Sequence, residues 1–299
     1  MRIELPSAGH HPGRLAASSS PVCRRYPSGN RPICAQRETV KPRVRHRRRA
    51  TCDLKASAWR AWERYTYRDS VPGLLGAKMF RVKICGITRP ADAQLAAEAG
   101  ADAIGLNFYA QSPRSCTLEA ARQIADVTPR WVCKVGVFVN ASVDEIRKIA
   151  SEVPLDLVQL HGAEPPELLR SLRPLPMMKA VGLGEDLTPL DAFLSTCHQR
   201  SALPRMLLVD AMRDGQFGGT GKTIDWAFLK QHRLRFRGLP LVLAGGLTPT
   251  NVASGIEAVR PWAVDVASGV ESAPGVKNPE RVRLFVSAAL QALSAVGRA

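Results

Sequence analysis

From Arg81 onward the chain repeats one unit eight times: a short apolar run, a punctuation of Gly, Asp, Pro or Ser, then a stretch with helical spacing. The apolar runs are Val82 to Ile87, Ala103 to Phe108, Trp131 to Val139, Leu155 to His161, Met177 to Gly182, Met206 to Asp210, Leu241 to Gly245 and Ala263 to Ala267. Helical stretches follow from Pro90, Thr117, Ser142, Pro165, Thr188, Asp225, Thr250 and Pro279. Ser142 with Glu145 three residues on fits a capping box, and Thr117 stands before an acidic, alanine-rich stretch. Eight strand–helix units in about 220 residues are the count and length of a (β/α)8 barrel. An open doubly wound sheet shares the alternation, but it wants a GxGxxG turn after its first strand, and this sequence has none there.

What precedes the repeat is compositionally foreign. The 299-residue chain has a net charge of +16, which raises the question of nucleic acid. The charge is unevenly placed: Met1 to Lys78 holds 17 Lys+Arg against 5 Asp+Glu, a net of +12, and only +4 remains for the rest. We therefore divide the chain into a basic Arg/Pro/Ser-rich extension, 1–78, expected to be mostly disordered, and a (β/α)8 barrel domain, 79–299. Within the extension, Ser57 to Tyr67 carries Trp59, Trp62 and Tyr65 at three-residue spacing and reads as a short amphipathic helix. Three readings of the extension stand open: an organelle-targeting leader, a nucleic-acid arm, or a segment upstream of the true start at Met79. No apolar run has the roughly 18 residues that a membrane span needs, so no membrane partner is expected.

Seven cysteines, an odd number without a CxxC pair or His–Cys metal spacing, argue against a disulfide scaffold. Three of them lie in the extension (Cys23, Cys34, Cys52). A reducing compartment, the cytoplasm, is the expectation.

In a (β/α)8 barrel, chemistry collects at the carboxyl ends of the strands. The first strand ends on Cys85, a thiol followed at once by Gly86, Ile87 and Thr88. Taken alone, a cysteine in an apolar strand is more often packing than chemistry. The other strand ends change that weighing. Asn107 and Arg114 follow the second strand, Gln159 and His161 close the fourth, and Asp210 closes the sixth. The helix after Asp210 starts only near Asp225, too far away for Asp210 to cap it. Gly245-Gly246 ends the seventh strand, and Ser268-Gly269 follows the eighth. Barrels commonly hold a phosphate at these last two turns through backbone N–H groups and a helix amino terminus. The stretch Gly215 to Gly221 reads as a mobile loop able to close over such a site. Gly221-Lys222-Thr223 ends like a P-loop, but that motif needs glycine where Gln216 stands, and an NTPase is set aside.

These residues fall into motifs that resemble the phosphoribosylanthranilate isomerase family over Arg81 to about Leu290. The resemblance rests on Lys83-Ile84-Cys85-Gly86-Ile87-Thr88, Asn107-Phe108 with Ser112-Pro113-Arg114, Val135-Gly136-Val137-Phe138, Val158-Gln159-Leu160-His161-Gly162, Val209-Asp210-Ala211, Gly218-Gly219-Thr220-Gly221-Lys222, Leu243-Ala244-Gly245-Gly246-Leu247 and Ser268-Gly269-Val270-Glu271. One departure is Ala267, where the family usually has serine.

The resemblance implies an Amadori rearrangement of N-(5-phosphoribosyl)anthranilate to 1-(2-carboxyphenylamino)-1-deoxyribulose 5-phosphate, in tryptophan biosynthesis. Asp210 matches the general acid that protonates the furanose ring oxygen, a role that asks for a carboxyl able to hold its proton near neutral pH. Cys85 matches the general base at C2 of the sugar, and a thiolate suits that task because neighbouring cations tune it. Lys83, two residues earlier, points the same way if the pleat is regular. It is a candidate for lowering the thiol's pKa or for stabilising the barrel interior. Arg114 matches the residue that pairs with the substrate's ring carboxylate, for which a bidentate guanidinium is suited.

The expected partner is thus a small phosphosugar held by Gly245, Gly246, Ser268 and Gly269, with no cofactor, no metal and no nucleic acid; oligomeric state is left open. The related isomerases of histidine synthesis usually work with two aspartates, against which Cys85 argues. Indole-glycerol-phosphate synthase would want a catalytic lysine and glutamate pair and a longer amino-terminal helical segment.

Overall fold

The computed structural model describes residues 78–182, 186–210 and 225–297. The aromatic-spaced segment 57–67, nearly all of the basic extension and the glycine-rich stretch 215–221 lie outside the described residues.

Eight parallel strands close into a barrel in sequence order: β1 (Val82–Ile84), β2 (Ala103–Asn107), β3 (Cys133–Phe138), β4 (Leu157–Leu160), β5 (Met177–Gly182), β6 (Met206–Asp210), β7 (Leu241–Leu243) and β8 (Ala263–Val266). Closure is made by β1 against β8, with Val82 beside Val264 and Lys83 beside Asp265. The helices are α1 (Pro90–Glu98), α2 (Leu118–Val127), α3 (Val143–Glu152), α4 (Pro166–Ser171), α5 (Thr188–Gln199), α6 (Trp226–Gln231), α7 (Val252–Val259) and α8 (Pro279–Val296).

Local chemistry sets most of these boundaries. Thr117 and Ser142 are caps and not first helical residues: Thr117 Oγ1 accepts from Ala120 N at 3.2 Å, and Ser142 Oγ accepts from Glu145 N at 3.1 Å. Asp225 likewise caps α6, accepting from the N–H groups of Ala227 and Phe228. The helix expected from Thr250 begins at Val252, because Asn251 folds back to accept from Thr248 N. Several strands are shorter than their apolar runs. Strand β1 stops at Ile84 as Gly86 turns the chain with φ of 72°, and Gly245 and Gly246, at φ of 77° and 66°, lie beyond β7. Trp131 is 56% exposed and precedes β3, which starts at Cys133 after a turn at Pro129.

Alternation along the strands sorts side chains between two packed layers. One set, including Val82, Ile84, Ile104, Leu106, Leu207, Val209 and Val264, faces the helices and packs on Ile124, Ile256, Val282 and Phe285. The other set, including Ala103, Val135, Met178, Met206, Leu208 and Val242, fills the barrel interior. Phe80, 1% exposed, packs with this interior set. Carrying the inward parity forward to the strand ends delivers Cys85, Asn107, His161 and Asp210 to one mouth.

Two short strands that the repeat does not foreshadow follow β8. Strand β9 (Glu271–Ala273) pairs antiparallel with β10 (Val276–Lys277) through a turn at Gly275, whose φ is 78°.

Candidate active site

A single cavity at the carboxyl ends of the strands is lined by Cys85, Asn107, Arg114, His161, Asp210, Gly245, Gly246, Ser268 and Gly269, among others. Every residue singled out from the strand ends except Gln159 lines this cavity. Gln159 lies fully buried, one step deeper on β4, and its side-chain nitrogen is 2.7 Å from His161 Nδ1.

At the first strand end the thiol has a charged neighbour. Lys83 Nζ lies 2.8 Å from Asp265 Oδ1, and both side chains are withdrawn from water. Burial opposes the charge on Lys83, but Asp265 and, secondarily, Cys85 outweigh it and hold the ammonium above its usual range. For Cys85 the balance goes the other way. Burial raises the thiol's pKa, and attraction to Lys83 recovers only part of the shift because Asp265 adds to it. Lys83 thus favours the thiolate and pairs with Asp265 in the interior at once, while the thiol stays above its ordinary range. Gly105 supplies the room for this grouping: a Cβ there would sit 2.7 Å from Cys85 Sγ and 3.0 Å from Lys83 Nζ.

Across the mouth, Asp210 Oδ2 is 3.4 Å from His161 Nε2. Among the described residues, His161 Nε2 and Gln159 Oε1 are buried without a hydrogen-bond partner, so polar capacity beside Asp210 is left over in this structure.

Arg114 reaches the mouth from the loop after β2 and is paired with Glu271: Nη2 lies 2.8 Å from Oε2, and Nε lies 3.0 Å from Oε1. Glu271 in turn accepts from Lys277 Nζ at 2.7 Å. Burial works against the charge on Glu271, but Arg114 and Lys277 overcome it and hold the carboxyl below its usual range. Sequence reasoning passed over Asp265, Glu271 as a partner for Arg114, and Lys277. Asp265 had a signal, being two residues before Ala267 on the same inward face. Lys277 had none, since its place depends on the hairpin.

On the far side, the amides of Gly245, Gly246, Ser268 and Gly269 donate to no other backbone group among the described residues. Gly269 is sterically required: a Cβ there would fall 1.9 Å from the carbonyl oxygen of Leu247. The loop after β7 is held in turn by Asn251 Nδ2, which donates to Gly246 O at 3.0 Å. No cluster of three His, Cys, Asp or Glu side chains suited to a metal occurs among the described residues, and no described helix is long and apolar enough to cross a membrane.

Fold and cavity together define a (β/α)8-barrel enzyme with its ionisable groups gathered at the carboxyl ends of the strands. The family model described as N-(5'phosphoribosyl)anthranilate (PRA) isomerase matches residues 82–288. The N-(5'-phosphoribosyl)anthranilate isomerase of Cellvibrio japonicus is 45% identical over 215 residues, covering 72% of this chain and 95% of that protein. The crystal structure of phosphoribosyl anthranilate isomerase from Thermotoga maritima is similar with a TM-score of 0.63 and 43% identity, over 71% of this chain and 100% of that one. A crystal structure of such an isomerase in complex with reduced 1-(o-carboxyphenylamino)-1-deoxyribulose 5-phosphate matches with a TM-score of 0.60 and 42% identity, over 71% of this chain and 100% of that one. The chain belongs to the N-(5'-phosphoribosyl)anthranilate isomerase family. It is an intramolecular isomerase of tryptophan biosynthesis acting on a small-molecule substrate by an Amadori rearrangement.

Proposed function

We propose that Asp210 and Cys85 are the acid and the base of this rearrangement, that Arg114 holds the substrate's ring carboxylate, and that the turns at Gly245-Gly246 and Ser268-Gly269 hold its phosphate. The observation that carries the proposal is that all seven residues, drawn from loops and strand ends far apart in sequence, line one cavity.

In the first step Asp210 donates its proton to the furanose ring oxygen. The C1–O bond breaks, and the anilino nitrogen's lone pair forms the iminium. Cys85, as thiolate, then takes the proton from C2, and those electrons neutralise the iminium to give an enolamine. Tautomerisation of the enolamine yields the 2-keto product. The substrate is anionic at both ends, which suits a guanidinium at one side of the mouth and, at the other, amides that donate to no described backbone group. Lys83 beside Cys85 stabilises the thiolate once formed, although burial keeps the thiol the favoured resting form.

The phosphosugar is the only partner we assign. Cytoplasm is the proposed compartment, on the ground that Cys85, Cys116, Cys133 and Cys197 are all thiols. The residues of the extension are proposed to lie apart from the chemistry.

The test is turnover of N-(5'-phosphoribosyl)anthranilate by the purified chain, its Cys85→Ser variant and its Asp210→Asn variant. Loss of turnover in both variants, with retained binding of the reduced product analogue, is expected. Wild-type rates in either would remove that residue from its role.

A further inference from the structure

We infer that Glu271 is the positioning residue for the substrate's ring carboxylate, acting through Arg114, with Lys277 behind it as counter-ion. The inference rests on the proposed role of Arg114 and extends it to a residue that does not itself touch substrate.

A guanidinium offers five N–H donors in a fixed plane. Glu271 takes one edge of it, with Nε 3.0 Å from Oε1, and Nη2 2.8 Å from Oε2. A second carboxylate is therefore left the Nη1/Nη2 end of the same plane, still a two-pronged site. The choice of edge fixes where the aromatic ring of the substrate lies. Without Glu271, a flexible arginine would present any of its edges.

The clamp is buried and anchored from several sides. The side chains of Glu271 and Lys277 are 4% and 0% exposed, against 17% for Arg114. Glu271 Oε1 also accepts from Gly275 N at 3.3 Å, and its carbonyl accepts from Arg281 Nη1 at 2.7 Å. Gly275 O accepts from Thr88 Oγ1 at 2.6 Å, which ties the β9–β10 hairpin to the loop that carries Cys85. The stem of Arg114 lies on Gly86, where a Cβ would come within 2.7 Å of Arg114 Cδ. The clamp thus sets the guanidinium relative to the thiol next door.

Charge accounts for Lys277, whereas Glu271, whose own charge opposes an incoming anion, contributes orientation alone. Arg114, Glu271 and Lys277 together carry one surplus positive charge in a largely buried network, and an incoming carboxylate balances it. A lone Arg–Glu pair would be neutral already and would gain less from a further anion. Burial weakens the charge on Lys277, and Glu271 opposes that loss, so the two hold each other ionised.

The test compares wild type with Glu271→Gln, Arg114→Ala and the double variant. It reads KM and kcat, and the affinities of two probes: the reduced product analogue and its counterpart lacking the ring carboxylate. Glu271→Gln is expected to raise KM about tenfold, by more than it lowers kcat, as for lost binding contacts. It should weaken the carboxylated probe by about the same factor and change the carboxylate-free probe by less than about twofold. The double variant should bind the carboxylated probe no more weakly than Arg114→Ala, because the clamp has nothing left to hold. Equal loss for both probes in Glu271→Gln, or no loss for either, overturns the inference while leaving Arg114 in place. Equal loss for both probes in Arg114→Ala removes Arg114 from the carboxylate and the inference with it. Should Glu271→Gln fail to fold, Glu271→Asp, which keeps the charge and withdraws it by one methylene, carries the same comparison with the same expected direction.

Discussion

Lys83 Nζ and Asp265 Oδ1 are 2.8 Å apart inside the barrel, on adjoining positions of its first and last strands, and the charge of the same lysine favours the thiolate of Cys85. The pair closes the sheet and sets the electrostatics of the proposed base in one contact. Removing one partner of a buried pair leaves an uncompensated charge, which costs more than the pair contributes. Lys83→Met is therefore expected to destabilise the barrel by about 3–5 kcal/mol in urea unfolding. The sign with pH follows from the direction of the lysine's shift. Its folded pKa lies above the ordinary lysine value of 10.5, so its contribution is fully present below 10.5 and fades only as pH rises through the higher folded value. The loss in Lys83→Met should accordingly be constant from neutral pH to about 10. The double variant Lys83→Met/Asp265→Leu should recover part of it. A Lys83→Met protein as stable as wild type would mean that Asp265 is satisfied by other groups.

Cys85 is expected to react as a raised thiol. Burial outweighs the pull of Lys83, so alkylation by iodoacetamide at neutral pH should be slower than for a free cysteine and should still be climbing past pH 9. Lys83→Met should slow it further, since the larger of two favourable cations is gone and only Lys277 is left. Peptide mass spectrometry of the modified residue reads the rate directly. A plateau below pH 8 would show a thiol already ionised and would contradict the balance of burial and charge seen here. Cys85→Ser should lower kcat by about 10²-fold or more, because a hydroxyl is too weak a base at neutral pH.

Much of this was legible in the strand repeat. Eight apolar runs with intervening helical stretches gave the barrel, and parity along each run gave the mouth, because inward positions at strand ends must converge. Cys85 and Asp210 arrive at the cavity for that reason, and Arg114 and the two glycine turns line it because the loops after the strands gather at the same mouth. What the repeat could not convey lies in side-chain pairing between distant segments. Asp265 is beside Lys83 only because the barrel closes β8 on β1. Lys277 reaches Glu271 through a hairpin with a two-residue strand, too short for alternation to register. Strand limits were overdrawn for a related reason. Apolar residues such as Ile87 and Ala244 stay buried past the ends of β1 and β7, each keeping one N–H bond to a neighbouring strand, so hydropathy runs past the regular ladder.

Asp210→Asn should be as damaging as loss of the thiol. An amide has no labile proton for the ring oxygen, and a positioned general acid is worth about 10²–10⁴-fold in rate. Volume and polarity are nearly unchanged, so the melting temperature and the binding of the reduced product analogue should stay close to wild type. His161, 3.4 Å from the carboxylate, separates this from a packing effect. If Asp210 is the acid, His161→Asn should lower kcat less than Asp210→Asn does. An Asp210→Asn protein that turns over at the wild-type rate, or a His161→Asn protein that loses more, would move the proton donor to another group.

The last prediction concerns where the barrel can begin. A chain starting at Met79 should fold and turn over at the rate of the full chain. Among the described residues it loses Lys78, whose Nζ pairs with Asp156 Oδ1 at 3.0 Å (side chains 31% and 21% exposed) and donates to Val132 O at 3.4 Å, and whose carbonyl accepts from Cys133 Sγ at 3.9 Å. Exposed pairs contribute about 0–1 kcal/mol, and Lys134 remains near Asp156 to balance it. Phe80 sets the next limit. It is 1% exposed and packs with the interior residues, and its carbonyl accepts from Trp262 Nε1 at 3.1 Å. A chain starting at Val82 loses that ring, and removal of a buried phenylalanine costs about 3–5 kcal/mol. Its melting temperature should therefore fall well below that of the Met79 chain. Yet kcat at a temperature where it is folded should be near normal, since Phe80 does not line the cavity that holds Cys85 and Asp210. Melting curves and turnover of the three lengths decide the matter. A Met79 chain that is folded but inactive would make the extension part of the site, and a Val82 chain as stable as the full chain would show that Phe80 is not needed to fill the barrel.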